Sequence, residues 1–112
     1  TDRQSHMIIS GGVNIYPQEI ENLLVSHPQV LDAAVIGAPD DDLGERVVAV
    51  VQPVDMGQAG EALEQSLRAY LEPQLSKVKM PKSFDFRPDL PREANGKFYK
   101  RELRDEYARK AS

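Results

Sequence analysis

The sequence predicts a small α+β domain: an N-terminal β-hairpin and a mixed β-sheet of about three strands, flanked by helices. Three observations predict it. Two β-prone pieces, residues 7–10 and 13–16, bracket Gly11-Gly12, and a glycine pair that takes positive φ closes a tight hairpin. Two nearly continuous apolar runs, residues 30–37 and 45–51, follow; such strands belong to a sheet covered on both faces. Leu63, Leu67, Tyr70 and Leu71 repeat at the i, i+4, i+7, i+8 spacing of an amphipathic helix.

Taken in order, Pro17 suits the first position of a helix whose apolar face holds Ile20, Leu23 and Leu24, and His27-Pro28 ends it. The first strand of the central pair runs over 30–37. A polar loop over 37–44, with Pro39 and three aspartates, leads to its partner at 45–51. A loop over 53–60 precedes the Leu63–Leu71 helix. A basic turn at 77–81, a short strand at 83–86 and a loop over 88–96 come next. A last helix over about 98–108 carries Leu103 and Tyr107 on its inner side.

At 112 residues the chain has room for one core and too little length for two. Hydrophobic residues at 40% and charged residues at 29% read as soluble and globular. A formal net charge of −4 gives no reason to expect nucleic-acid binding, which usually leaves a basic excess. With no cysteine, disulfides and thiolate metal sites are excluded, and a cytoplasmic location is the natural expectation. No apolar run approaches the roughly 20 residues a bilayer-spanning helix needs. The polar start without methionine leads us to expect a piece of a longer protein.

Few residues offer chemistry. Lys97, after Gly96, is on local spacing a solvated lysine ahead of a helix; its reach and charge also suit phosphoryl or adenylyl transfer. The phosphate-loop pattern fails, because Phe98 stands where Ser or Thr is required. Gly11-Gly12 reads either as a plain turn or as a place where a ligand approaches the backbone closely. Asp40-Asp41-Asp42 lacks the alternating spacing of a calcium loop and reads as a solvated turn, so no metal site is expected. His6 and His27 have no nucleophile beside them and read as structural or surface residues.

Five elements stand in a recognisable order. They are Asp2-Arg3; residues 7–21 around Ser10-Gly11-Gly12-Val13-Asn14-Ile15-Tyr16-Pro17; Ala34-Val35-Ile36-Gly37 with Asp40 and Gly44-Glu45; Lys79-Met80-Pro81-Lys82; and Leu90-Pro91-Arg92 through Gly96-Lys97 with Leu103-Arg104. Together they resemble the C-terminal domain of the adenylate-forming superfamily, which includes acyl-CoA synthetases, luciferases and nonribosomal-peptide adenylation domains. The form of the Gly11-Gly12 element is similar to the acyl- and aryl-CoA ligase branch.

The resemblance implies a catalytic lid, residues 7–112, joined through a hinge or linker at residues 1–6 to an N-terminal adenylation domain upstream. It implies fatty-acid or aryl-acid activation with ATP, Mg2+ held mainly by that other domain, and coenzyme A as acceptor. Lys97 would be the adenylation lysine, Ser5 the hinge, and Arg3 a nucleotide-binding residue. Gly11 and Gly12 would line the CoA channel, with Lys79, Lys100 and Arg101 as possible CoA phosphate contacts. The isolated domain would fold but form no acyl-CoA. Three positions depart from the family pattern: Ser5 where Asp or Lys is common, Glu93 in place of Thr or Asn, and Leu43 where some relatives have an aromatic residue. Two other readings stay open: a stand-alone binding module that kept the fold without catalysis, and the lid of a carrier-protein-loading or oxidative member.

Overall fold

The computed structural model describes residues 7–90, 104–107 and 109. In chain order the elements are β1 (Ile8–Ser10), β2 (Val13–Ile15), α1 (Pro17–Val25), β3 (Val30–Asp40), β4 (Gly44–Pro53), α2 (Glu61–Leu71) and β5 (Ser83–Phe86). Residues 104–107 are helical. Short 3-10 turns lie at Met56–Gln58 and Lys77–Lys79. The hairpin does not stand apart from the predicted sheet: its two strands join the other three in one mixed, five-stranded sheet.

β4 is the axis of that sheet. Its whole length pairs antiparallel with β3, from Val30↔Pro53 to Asp40↔Gly44. Its other edge is shared. The Gly44 end meets β1 at Ser10↔Gly44, and Val48–Val51 pair parallel with Ser83–Phe86 of β5. The parallel pair needs a crossover, and α2 lies in that connection.

Both faces of the sheet are covered, as the apolar runs predict. Ala33, Val35, Val47, Ala49 and Val51 point to one face, where Ile20 and Leu24 of α1 and Leu63, Leu67 and Leu71 of α2 close over them. Ala34, Ile36, Ala38, Val48 and Val50 point to the other, under Leu90 and Tyr107. The alternation is the period of two that the pleat imposes. Each large side chain so buried contributes about 1.5–3 kcal/mol. Across the second face, Arg87 pairs with Glu106 and lies 6.0 Å from the Tyr107 ring centroid.

The structure corrects the sequence reading at 37–44. β3 continues through Pro39 to Asp40, because each of these residues has a partner on β4 (Ala38↔Arg46, Pro39↔Glu45). A cross-strand partner outweighs the turn preference of Pro and Asp, and β3 is an edge strand, where proline is tolerated. Glu21 of α1 is buried, and its carboxylate accepts the Val35 N–H at 2.8 Å. It thereby satisfies a backbone donor on the edge of β3 that has no further strand to bond.

Candidate functional site

The Gly11-Gly12 turn is built from the backbone upward. Ser10 faces Val13 across two residues, and Gly11 and Gly12 both have positive φ, 58° and 82°. That is the turn whose twist matches the flanking strands, and it is open mainly to glycine. Both glycines are exposed, and a Cβ on Gly12 would meet nothing within 4 Å. The turn is therefore a bare stretch of backbone that faces open space at Gly12.

It is held from outside. The Gly11 N–H donates to the Leu43 carbonyl at 2.9 Å. Two residues earlier, the Ile9 N–H donates to Oε1 of Glu45 at 2.9 Å. Leu43 has its Cδ2 3.3 Å from where a Gly11 Cβ would stand. It packs against the turn and lends it a carbonyl.

The support under Leu43 is Asp40. Its Oδ1 accepts from the Asp42 and Leu43 N–H groups, both at 2.9 Å. Those two amides, Leu43 first, hold the Asp40 carboxyl below its ordinary range, and the charges of Arg46 and Lys82 act the same way. The aspartate run is thus a side-chain-capped corner, closed by Gly44 at φ 84°. Arg46 Nη1 donates to the Pro39 carbonyl at 2.7 Å across the same corner.

A cleft of about 680 Å³ opens on the far side of the corner, lined by Asp40, Asp41, Asp42, Asp85, Arg46 and Tyr107 among others. Four carboxylates against one guanidinium make it a poor seat for the phosphates of CoA. Among the described residues no group of three His, Cys, Asp or Glu is placed to hold a metal ion. Nor is any helix of the described residues long and apolar enough to cross a membrane.

Lys79, a possible phosphate contact, lies in the 3-10 turn with its Nζ 3.2 Å from Oε1 of Glu19 on α1. A phosphate at this site would have to compete with that carboxylate. Ser5, Arg3, Lys97, Lys100, Arg101 and Glu93 lie outside the described residues. The structure therefore brings Gly11 and Gly12 together with Leu43, Asp40 and Glu45, and the role of Glu45 is one that sequence reasoning missed. Its only signal was the pair Gly44-Glu45, with Glu45 eight residues after Gly37. His27 is buried and structural: Nδ1 accepts from the Gln29 N–H at 3.1 Å, and its ring stands edge-on to Tyr70 at 4.9 Å.

The proteins to which this chain is similar are CoA ligases and CoA synthetases. The chain is 46% identical over 103 residues to 2-succinylbenzoate–CoA ligase of Bacillus cytotoxicus, covering 92% of this chain and 20% of that one. The fatty acyl CoA synthetase of Mycobacterium tuberculosis superposes with a TM-score of 0.84 at 39% identity, over 95% of this chain and 20% of that one. The o-succinylbenzoate CoA synthetase (MenE) of Bacillus subtilis, solved with its acyl-adenylate intermediate, gives 0.80 at 39% identity, over 91% and 20%. The chain thus spans about a fifth of the length of these proteins. The model of the AMP-binding enzyme C-terminal domain matches residues 19–97, most of the described strands and helices, and the chain belongs to that family.

Proposed function

We propose that this chain is the lid of an ATP-dependent CoA ligase and serves two half-reactions in turn. In the first, a carboxylate oxygen attacks the α-phosphorus of ATP, and pyrophosphate leaves. Lys97, a positive charge on a long stem, offsets the negative charge that builds on the carboxylate and phosphate oxygens. In the second, the thiol of CoA attacks the acyl carbon, its proton is lost, and AMP leaves as the thioester forms. The Gly11-Gly12 turn then borders the path of the thiol-bearing arm. Mg2+ would charge-balance the triphosphate from the upstream domain.

The observation that carries this reading is the bare, positive-φ turn held from below by Leu43 and Glu45. A plain hairpin tolerates Asn or Asp at such a turn. Two glycines free of side chains leave the backbone open to close approach. The CoA-ligase identity of the relatives supports the same reading. Among substrates, an aryl acid is the first class to test, on the name of the Bacillus relatives, and a fatty acid the second, on that of the mycobacterial neighbour.

The test separates the half-reactions in the full-length protein. Lys97→Ala is expected to slow adenylate formation by about 10²–10³-fold, while conversion of supplied acyl-adenylate to thioester stays within a few fold. Equal loss in both steps overturns the assignment of Lys97. Offering CoA and a carrier protein as competing acceptors separates this reading from a carrier-loading lid. ATP-dependent thioester formation by the 112 residues alone would refute the lid reading.

A further inference from the structure

We infer that Glu45 is a positioning residue for the CoA-dependent half-reaction, and that Gly37 is small in order to let it act. The inference rests on the reading of Gly11-Gly12 as the border of the CoA path. Ser10 faces Val13 across the two-residue turn, so Ile9 and Gly11 direct their N–H groups to the opposite side, toward β4. Gly11 finds a backbone carbonyl there, that of Leu43. Ile9 finds a side chain: Oε1 of Glu45 at 2.9 Å. The ladder between β1 and β4 has the single register pair Ser10↔Gly44. The carboxylate thus adds a side-chain attachment to that short ladder, and it helps to fix the direction in which a three-residue strand presents its turn.

While Oε1 of Glu45 holds Ile9 on β1, the rest of the carboxylate lies beside Gly37 of β3, on the other side of β4. A Cβ on Gly37 would stand 2.8 Å from Glu45 Oε2, 3.0 Å from its Cδ and 3.2 Å from Cγ2 of Ile8. Gly37 has no positive φ, so its backbone does not call for glycine, and it is buried within an otherwise apolar run. What its size provides is the channel for the Glu45 side chain. The two closest atoms in the way are the far end of a flexible side chain, so Gly37→Ala pushes the carboxylate aside, and Cγ2 of Ile8 has to give by a few tenths of an ångström.

Three variants of the full-length protein test this. Glu45→Ala removes the acceptor, Gly37→Ala displaces it, and Glu45→Gln keeps an oxygen that accepts the same N–H. Glu45→Ala and Gly37→Ala are expected to slow thioester formation from supplied acyl-adenylate by about tenfold or more and to raise the KM for CoA, with adenylate formation unchanged; a misplacement of about 1 Å suffices for such losses. Glu45→Gln restores most of the rate. Unchanged CoA kinetics in Glu45→Ala, equal loss in both half-reactions, or no rescue by Glu45→Gln overturns the inference.

A second readout is independent of activity. Hydrogen–deuterium exchange of the peptide containing Ile9 accelerates in Glu45→Ala and Gly37→Ala and not in Glu45→Gln. Unchanged exchange in Glu45→Ala overturns the attachment itself. If the wild-type protein forms no acyl-CoA, the ligase reading fails, and the exchange result alone then decides whether Glu45 orients the turn.

Discussion

The β1–β2 hairpin has strands of three residues and a turn of two glycines, with no side chain in it. The β3–β4 hairpin has strands of eleven and ten residues and a corner closed by the Asp40 carboxylate on two backbone amides. Asp40, Leu43 and Gly44 stabilise their own corner. The glycine turn depends on that corner, through the Leu43 carbonyl and the Glu45 carboxylate. Two short strands alone would be marginal in water; docked on a long hairpin, they hold a bare turn in place. Rigidity and openness are thus divided between neighbouring hairpins: one supplies the anchor, the other the exposed backbone.

The comparison can be broken at either hairpin. The largest effect is expected at Gly11. Gly11→Ala places a Cβ at φ 58° and 3.3 Å from Leu43 Cδ2, and a left-handed L-residue costs about 1–2 kcal/mol. Chemical denaturation measures that loss, and the CoA-dependent step should fall with it. A variant as stable and active as wild type would mean that the turn is not constrained as described.

A smaller effect is expected at Asp40. Asp40→Ala lowers the thermal midpoint and speeds amide exchange at Asp42, Leu43 and, through Leu43, Gly11. The sign of its pH dependence follows from the lowered carboxyl. The folded state holds the charged form, so the contribution is present at neutral pH and is lost as pH falls below the ordinary value of 3.8. The wild type and Asp40→Ala should converge in stability in strong acid. If they stay apart there, the capping account is wrong.

The smallest effect belongs to His27, in the turn that follows α1, and serves as the control. Burial holds the His27 ring neutral by lowering its pKa from 6.5. Protonation would also remove the Nδ1 acceptor of the Gln29 N–H. The neutral form's contribution is fully present above pH 6.5 and diminishes as pH falls below that value. Stability of the wild type should therefore fall slightly as pH drops from about 7.5 to about 5.5, and His27→Gln should flatten that slope. The exchange pattern of the glycine turn should not change over the same range. A turn that responds to this titration would show the two regions to be coupled.

Several elements are legible in the order of amino acids itself. Ser83–Phe86 forms the expected strand with the same bounds. Leu63, Leu67 and Leu71 are buried on the expected face of α2, and Tyr70 packs at its margin. These features are local, set by periodicity that one segment carries in itself. The strand through Pro39 and Asp40 is not legible in this way, because its reason is the pairing with Glu45 and Gly44 on another strand. Glu21 and Glu45 are not legible either. Each becomes an acceptor only because a backbone N–H from a distant segment arrives within 2.9 Å.

The sequence by itself determined the α+β class, the glycine turn with its demand for positive φ, and the order of elements by which the chain resembles its family. Those are properties of residue type and spacing. Tertiary structure alone decided where the turn is fastened. A β1 of three residues cannot fix its own direction, and the donors on its outer edge take whatever acceptors the fold brings to them. Here these are the carbonyl of Leu43 and the carboxylate of Glu45, admitted over a glycine on the neighbouring strand.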